Sequence, residues 1–197
     1  MYKRQVSLFG PAVLGQYFLM RRTLDLPVAF AFRSLGDIFY ARLAADARTA
    51  PERIRPFFIK SFLILASLGA IGASPIILFG PTLFAFVFGP AWHEAGLLAA
   101  IMAPSAVMNL GVAPVSRIFA LTSRPHLRFS FSVFYLLGTV LLLWAARHYT
   151  LSLLAVTAGV SLVTFVSYFA YLVGGYIACS SIRLDSEALP AAEAVVG

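Results

Sequence analysis

The chain has 197 residues, 60% of them hydrophobic and 12% charged, with a formal charge of +7 and a mean hydropathy of +0.88. A soluble domain of this length cannot bury so much apolar surface, so the composition excludes a soluble fold and indicates an integral membrane protein. The positive charge does not build a nucleic-acid face, because Lys and Arg sit between apolar runs, where they anchor topology, and do not cluster on a polar surface.

At about 20 to 25 residues per spanning helix plus loops, the length allows one membrane domain of roughly five or six helices. Hydropathy and helix-breaking residues divide the chain into five helical blocks, an all-α integral membrane fold. The first, about 11–44, starts at Pro11 as first helical residue and carries Pro27 in its interior, where a kink is expected. It exceeds the hydrocarbon core, so its C-terminal end should project into water. The others are about 57–79, 90–121, 126–147 and 151–178. The tail, 180–197, is polar and small and is expected to be a flexible cytoplasmic segment.

Phe-Gly-Pro stands at 9–11, 79–81 and 88–90, each time where an apolar run breaks, and is read as punctuation between helices. The "TLFAFVF" between the last two copies is too short to span and is expected to lie on or dip into the outer interface. Lys3 and Arg4 before an apolar run imitate a signal peptide. Gly10-Pro11 interrupts that run, and no cleavable signal is read.

Basic residues set the orientation. Arg42, Arg48, Arg53, Arg55 and Lys60 follow the first helix, and Arg117, Arg124 and Arg128 join the third to the fourth. The opposite side has Lys3, Arg4 and Arg147, and no basic residue falls between 80 and 92. The basic side should be cytoplasmic, so the first helix runs outside to inside and the tail ends inside.

The first helix carries Arg21, Arg22, Asp25, Arg33 and Asp37 among apolar residues. At 100° per residue Arg22, Asp25, Ala29, Arg33, Gly36, Asp37 and Tyr40 share a face, with Arg21 beside Asp25. Charges at the bilayer centre cost about 2.5 to 3.5 kcal/mol each, so the stripe should face protein or a wet cavity. Two readings follow. Arg21–Asp25 and Arg33–Asp37 form a self-neutralising ion-pair ladder, or the five residues line a substrate site in which guanidinium forks bind phosphate oxygens.

The remaining polar groups have simpler readings. Thr157, Ser161, Thr164, Tyr168 and Tyr171 share a face of the last helix and favour close helix packing over a sugar path. Trp92 reads as an interfacial anchor and Glu94 as an N-terminal helix charge, while Pro104 and Pro114 supply bends. The single cysteine, Cys179, excludes an internal disulfide and any multi-cysteine metal cluster. His126 and His148 stand apart from any carboxylate cluster. No nucleotide loop, Ser/His/Asp set or metal signature is present, so neither an enzyme nor a cofactor is expected.

"GQYFLMRRTLDLP", "FYARLAADAR" and "LFAFVFGPAWHEAGLLAAIMAPSAVMNL...PVSRIFALTSR" together resemble the C-terminal half of bacterial polysaccharide-biosynthesis membrane proteins. These are the Wzx-like oligosaccharide flippases of the multidrug/oligosaccharidyl-lipid/polysaccharide exporter superfamily. The resemblance covers about residues 12–128. It implies a two-lobed flippase fold in the bacterial cytoplasmic (inner) membrane, of which five helices here correspond to most of the C-terminal lobe. It also implies a polyprenyl-pyrophosphate-linked oligosaccharide as substrate, membrane lipid as surroundings and no nucleic acid. The first lobe and seventh helix of that pattern are not in the sequence, so the expected partner is an N-terminal lobe or a second copy of the chain. Two alternatives stay open: a cation-coupled drug extruder of the same superfamily, and a non-transporting scaffold of a polysaccharide assembly complex.

Overall fold

The computed structural model of the chain describes the backbone over residues 2–115, 125–149 and 151–196. Side chains are described there except at 2–12, 31–34, 36–37, 47–48, 51, 114–115, 125–130 and 180–196. The described elements are helical: α1 (Tyr2–Thr49), a 3-10 turn (Pro51–Arg53), α2 (Ile54–Phe88), a second 3-10 turn (Pro90–Trp92), α3 (His93–Val115), α4 (Pro125–His148) and α5 (Leu153–Val196). Four helical stretches among the described residues are long and apolar enough to cross a membrane: Ile54–Phe88, Pro90–Ala113, Phe131–His148 and Leu153–Cys179. Five spans were expected from the sequence. The charges of Arg21, Arg22 and Asp25 in mid-helix keep α1 out of that set, although it is the longest helix at 48 residues.

The helix ends differ from the expected ones where local chemistry was overridden. α1 begins at Tyr2, and its backbone runs through Pro11 and Pro27. α5 remains helical through the expected tail to Val196, in keeping with the Ala, Glu and Leu of "SEALPAAEA", all good helix formers. The three Phe-Gly-Pro copies have three outcomes. At 9–11 the helix passes through. At 79–81 it breaks sharply, with Phe79 at non-helical φ −129°, ψ 18°, so "TLFAFVF" is a short helical segment set off from the rest of α2 by the kink. At 88–90 it stops, because Gly89 takes φ 101°, a conformation that side chains rarely tolerate.

α3 is the centre of the bundle and contacts α1, α2 and α5, whereas α4 leans on α5 at the edge. Composition explains the difference. "EAGLLAAIMAPSA" is rich in small residues, which let backbones approach, and 56% of its apolar window is buried within the chain, against 0% for α4. The closest approach is between α2 and α3, where a Cβ on Gly80 would lie 2.5 Å from the Gly96 carbonyl oxygen. Met20 and Leu24 of α1, Phe84 of α2, and Ala95, Leu98 and Met102 of α3 form the core around this contact. A second core joins Leu43 of α1, Ile54 and Phe58 of α2, and Ala178 and Cys179 of α5 at the other end.

Candidate functional site

Burial of Met20 and Leu24 against α3 fixes the rotation of α1. Arg21 and Asp25 then fall at the edge of the buried face, four residues apart. Their side chains make an ion pair, Arg21 Nε to Asp25 Oδ2 at 2.9 Å, and stay 40% and 48% exposed. Both line a small polar seam with Ser105 and Asn109 of α3, Tyr135 of α4, and Thr164 and Tyr168 of α5. Tyr17, one turn before Arg21, lies within electrostatic reach of Arg21, Asp25 and Tyr135, and Tyr168 senses the same three groups.

Two buried hydroxyls of the seam are satisfied by their own helices and need no ligand. Ser105 donates to the Met102 carbonyl at 2.8 Å and Thr164 to Val160 at 2.7 Å. The other polar groups lining the seam are Arg21, Asp25, Asn109 and the two tyrosines, Tyr135 and Tyr168. The seam has a volume of about 30 Å³, room for a water molecule but not for a sugar. In this conformation it is a narrow polar cleft lined by four helices, with Arg21 and Asp25 still half-exposed at its mouth.

Beside it lies an apolar groove of about 490 Å³ between α1, α2 and α3. Pro27, Leu65, Leu68, Gly69 and Gly72 contribute to its walls, and it shares Leu24 and Ala106 with the seam. A polar slot and an apolar trough thus meet along one wall, an arrangement matched to an amphiphile.

The five site residues expected from the sequence separate. Arg21 and Asp25 reach the seam together. Arg22 is exposed, because two residues on from Met20 it stands about 200° around the helix from the buried face. Arg33 and Asp37 lie outside the described side chains, and their pairing with them. On α5 the packing reading fits Ser161, which donates to the Ile101 carbonyl of α3 at 2.8 Å. Thr164 and Tyr168 from the same face line the seam instead. Trp92, expected as an interfacial anchor, packs on the core beside Gly15. Ser105, Asn109, Tyr135 and Tyr17 were not singled out in the sequence. The signal was a repeated i, i+4 polar spacing: Tyr17–Arg21–Asp25, Ser105–Asn109 and Thr164–Tyr168.

A second polar feature ties α1 to the start of α3. The Gln16 amide donates from Nε2 to the Ala91 carbonyl at 2.6 Å and accepts at Oε1 from the Ala95 N–H at 2.9 Å. It caps one of the first free N–H groups of α3 from another helix. Among the described residues no group of three or more His, Cys, Asp or Glu could hold a metal ion. Comparisons with protein-family models, curated proteins and solved structures find no match.

Proposed function

We propose that the chain is the C-terminal part of a transporter that moves a polyprenyl-pyrophosphate-linked oligosaccharide across the bacterial cytoplasmic membrane, as the resemblance to Wzx-like flippases implies. The observation that carries the reading is the seam: α1, α3, α4 and α5 each bring polar side chains to one place. A guanidinium at a seam that can part suits an anionic headgroup, and the adjoining 490 Å³ groove suits an apolar chain. On this reading α1 is a fifth span whose charges are tolerated because they face protein, substrate or water. The narrow seam is then one state of a transporter that widens between α1 and α4, with α3 and α5 as its floor.

Loss of the chain in its host should leave lipid-linked oligosaccharide on the cytoplasmic leaflet and reduce surface polysaccharide. Arg21→Ala should reproduce that loss at normal protein level, and Arg21→Lys should restore it in part only, since the forked donor is gone. Normal export in both variants would remove the seam from the transport path and with it this assignment.

A further inference from the structure

The outward face of α1 poses a problem that the bundle does not solve. Arg22 and Ala29 are exposed, and Asp25 between them keeps 48% of its side chain exposed even while paired with Arg21. Spaced three and four residues apart, the three occupy one line along the helix. Arg22 has no ion-pair partner among the described residues, the only ion pairs there being Arg21–Asp25 and Arg42–Asp46. The outer face of α2 is different in kind: it turns Ile71 and Leu78 outward, a surface suited to lipid tails.

We propose that this face of α1 is an interface between two copies of the chain, paired about a two-fold axis along the membrane normal, with Arg22 of each copy bonded to Asp25 of the other. In such an isologous contact residue i meets j and j meets i. With α1 helices side by side and parallel, Arg22 and Asp25 differ in depth by three residues, about 4.5 Å, which an arginine side chain spans. Ala29, one turn further, is small enough to let the two helices touch. The copy supplies Arg22 with an ion-pair partner, which it does not have among the described residues of the single chain. It also covers the half-open side of the seam, so that Arg21 and Asp25 face protein. The inference rests on the proposed function only in placing α1 within the bilayer; its test reads association and is independent of transport.

A photoreactive phenylalanine analogue placed at Ala29 in native membranes should give an adduct at twice the mass of the uncross-linked protein. The same probe at Ile71, on the outer side of α2, should not. An Ala29 adduct of any other protein mass, an adduct to lipid alone, or equal dimer yields from both positions would overturn the proposal. Charge exchange gives a second readout. Arg22→Asp makes the face wholly acidic and Asp25→Arg makes it wholly basic, so each variant expressed alone should lose at least tenfold of the dimer adduct. Co-expressed with different tags, the two should restore it as the mixed pair. Dimer retained in either single variant, no mixed pair while the unsubstituted chain does cross-link, or no dimer from the unsubstituted chain refutes the contact.

Discussion

Gln16 and Ala95 are 79 residues apart in sequence and 2.9 Å apart in space, the side-chain carbonyl of one accepting the backbone N–H of the other. With the 2.6 Å bond to the Ala91 carbonyl, a single amide satisfies both a donor and an acceptor at the turn that starts α3. Gln16→Ala should leave the Ala95 N–H without its partner and lower thermal stability in detergent by about 1 to 2 kcal/mol. Gln16→Glu keeps the acceptor and loses the donor, so it should fall between the two. A melting temperature unchanged in Gln16→Ala would show that solvent replaces the amide at no cost.

The glycines give a graded prediction. A methyl at Gly96 would collide with the Gly80 carbonyl, backbone that cannot swing aside. Gly96→Ala should therefore force α2 and α3 apart and cost about 3 kcal/mol or more, the upper range for overpacking. At Gly72 a Cβ meets nothing within 4 Å, and the residue lines the apolar groove. Gly72→Ala should be neutral or stabilising. Gly72→Phe should leave folding intact while filling the groove, and on the proposed function it should lower export by tenfold or more. Folding by gel filtration and export in cells separate the two effects.

The Arg42–Asp46 pair is asymmetric, Nε to Oδ2 at 3.2 Å with the arginine side chain 59% exposed and the aspartate 9%. Removing the arginine strands a buried carboxylate, and removing the aspartate releases a guanidinium already at the surface. Arg42→Ala should thus cost about 2 kcal/mol, and Asp46→Ala less than about 1 kcal/mol. Thermal unfolding of both variants checks the order; the reverse order would place the stabilising contact elsewhere.

Orientation is testable at two exposed threonines, Thr49 at the end of α1 and Thr82 just past the bend of α2. Cys179 is buried, so changing it to Ser removes background at little risk. On intact cells an impermeant maleimide should label a cysteine at Thr82 and not one at Thr49. Labelling of Thr49 alone would invert the topology drawn from the basic loops.

Helix content was legible because long apolar runs separated by Gly and Pro leave few other folds. The breaks were harder to read. The same Phe-Gly-Pro bends α2 at 79–81 and stops it at 88–90, and the difference lies in the glycine backbone, at φ 101° in Gly89 but not in Gly80, which packs against Gly96 of another helix. The site was half legible for a similar reason. Periodicity places Arg21, Arg22 and Asp25 near one another on α1, but only the burial of Met20 and Leu24 decides which of them turns inward. Asn109 and Tyr135 carry no charge to draw attention in an apolar run, and they become significant only when the folding of α3 and α4 brings them beside Arg21.

The bend at Phe79 also bears on which membranes suit the protein. α2 has 35 residues, about 52 Å if straight, and its uncharged part after Lys60, Ser61 to Phe88, measures about 42 Å. Both exceed a hydrocarbon core of about 30 Å. Because the Gly80–Gly96 contact holds the bend in place, α2 cannot adjust its span by straightening or folding further, and the mismatch passes to the lipid as tilt or local thickening. The protein should therefore partition toward thicker bilayers, with a preference that disappears when that contact is loosened.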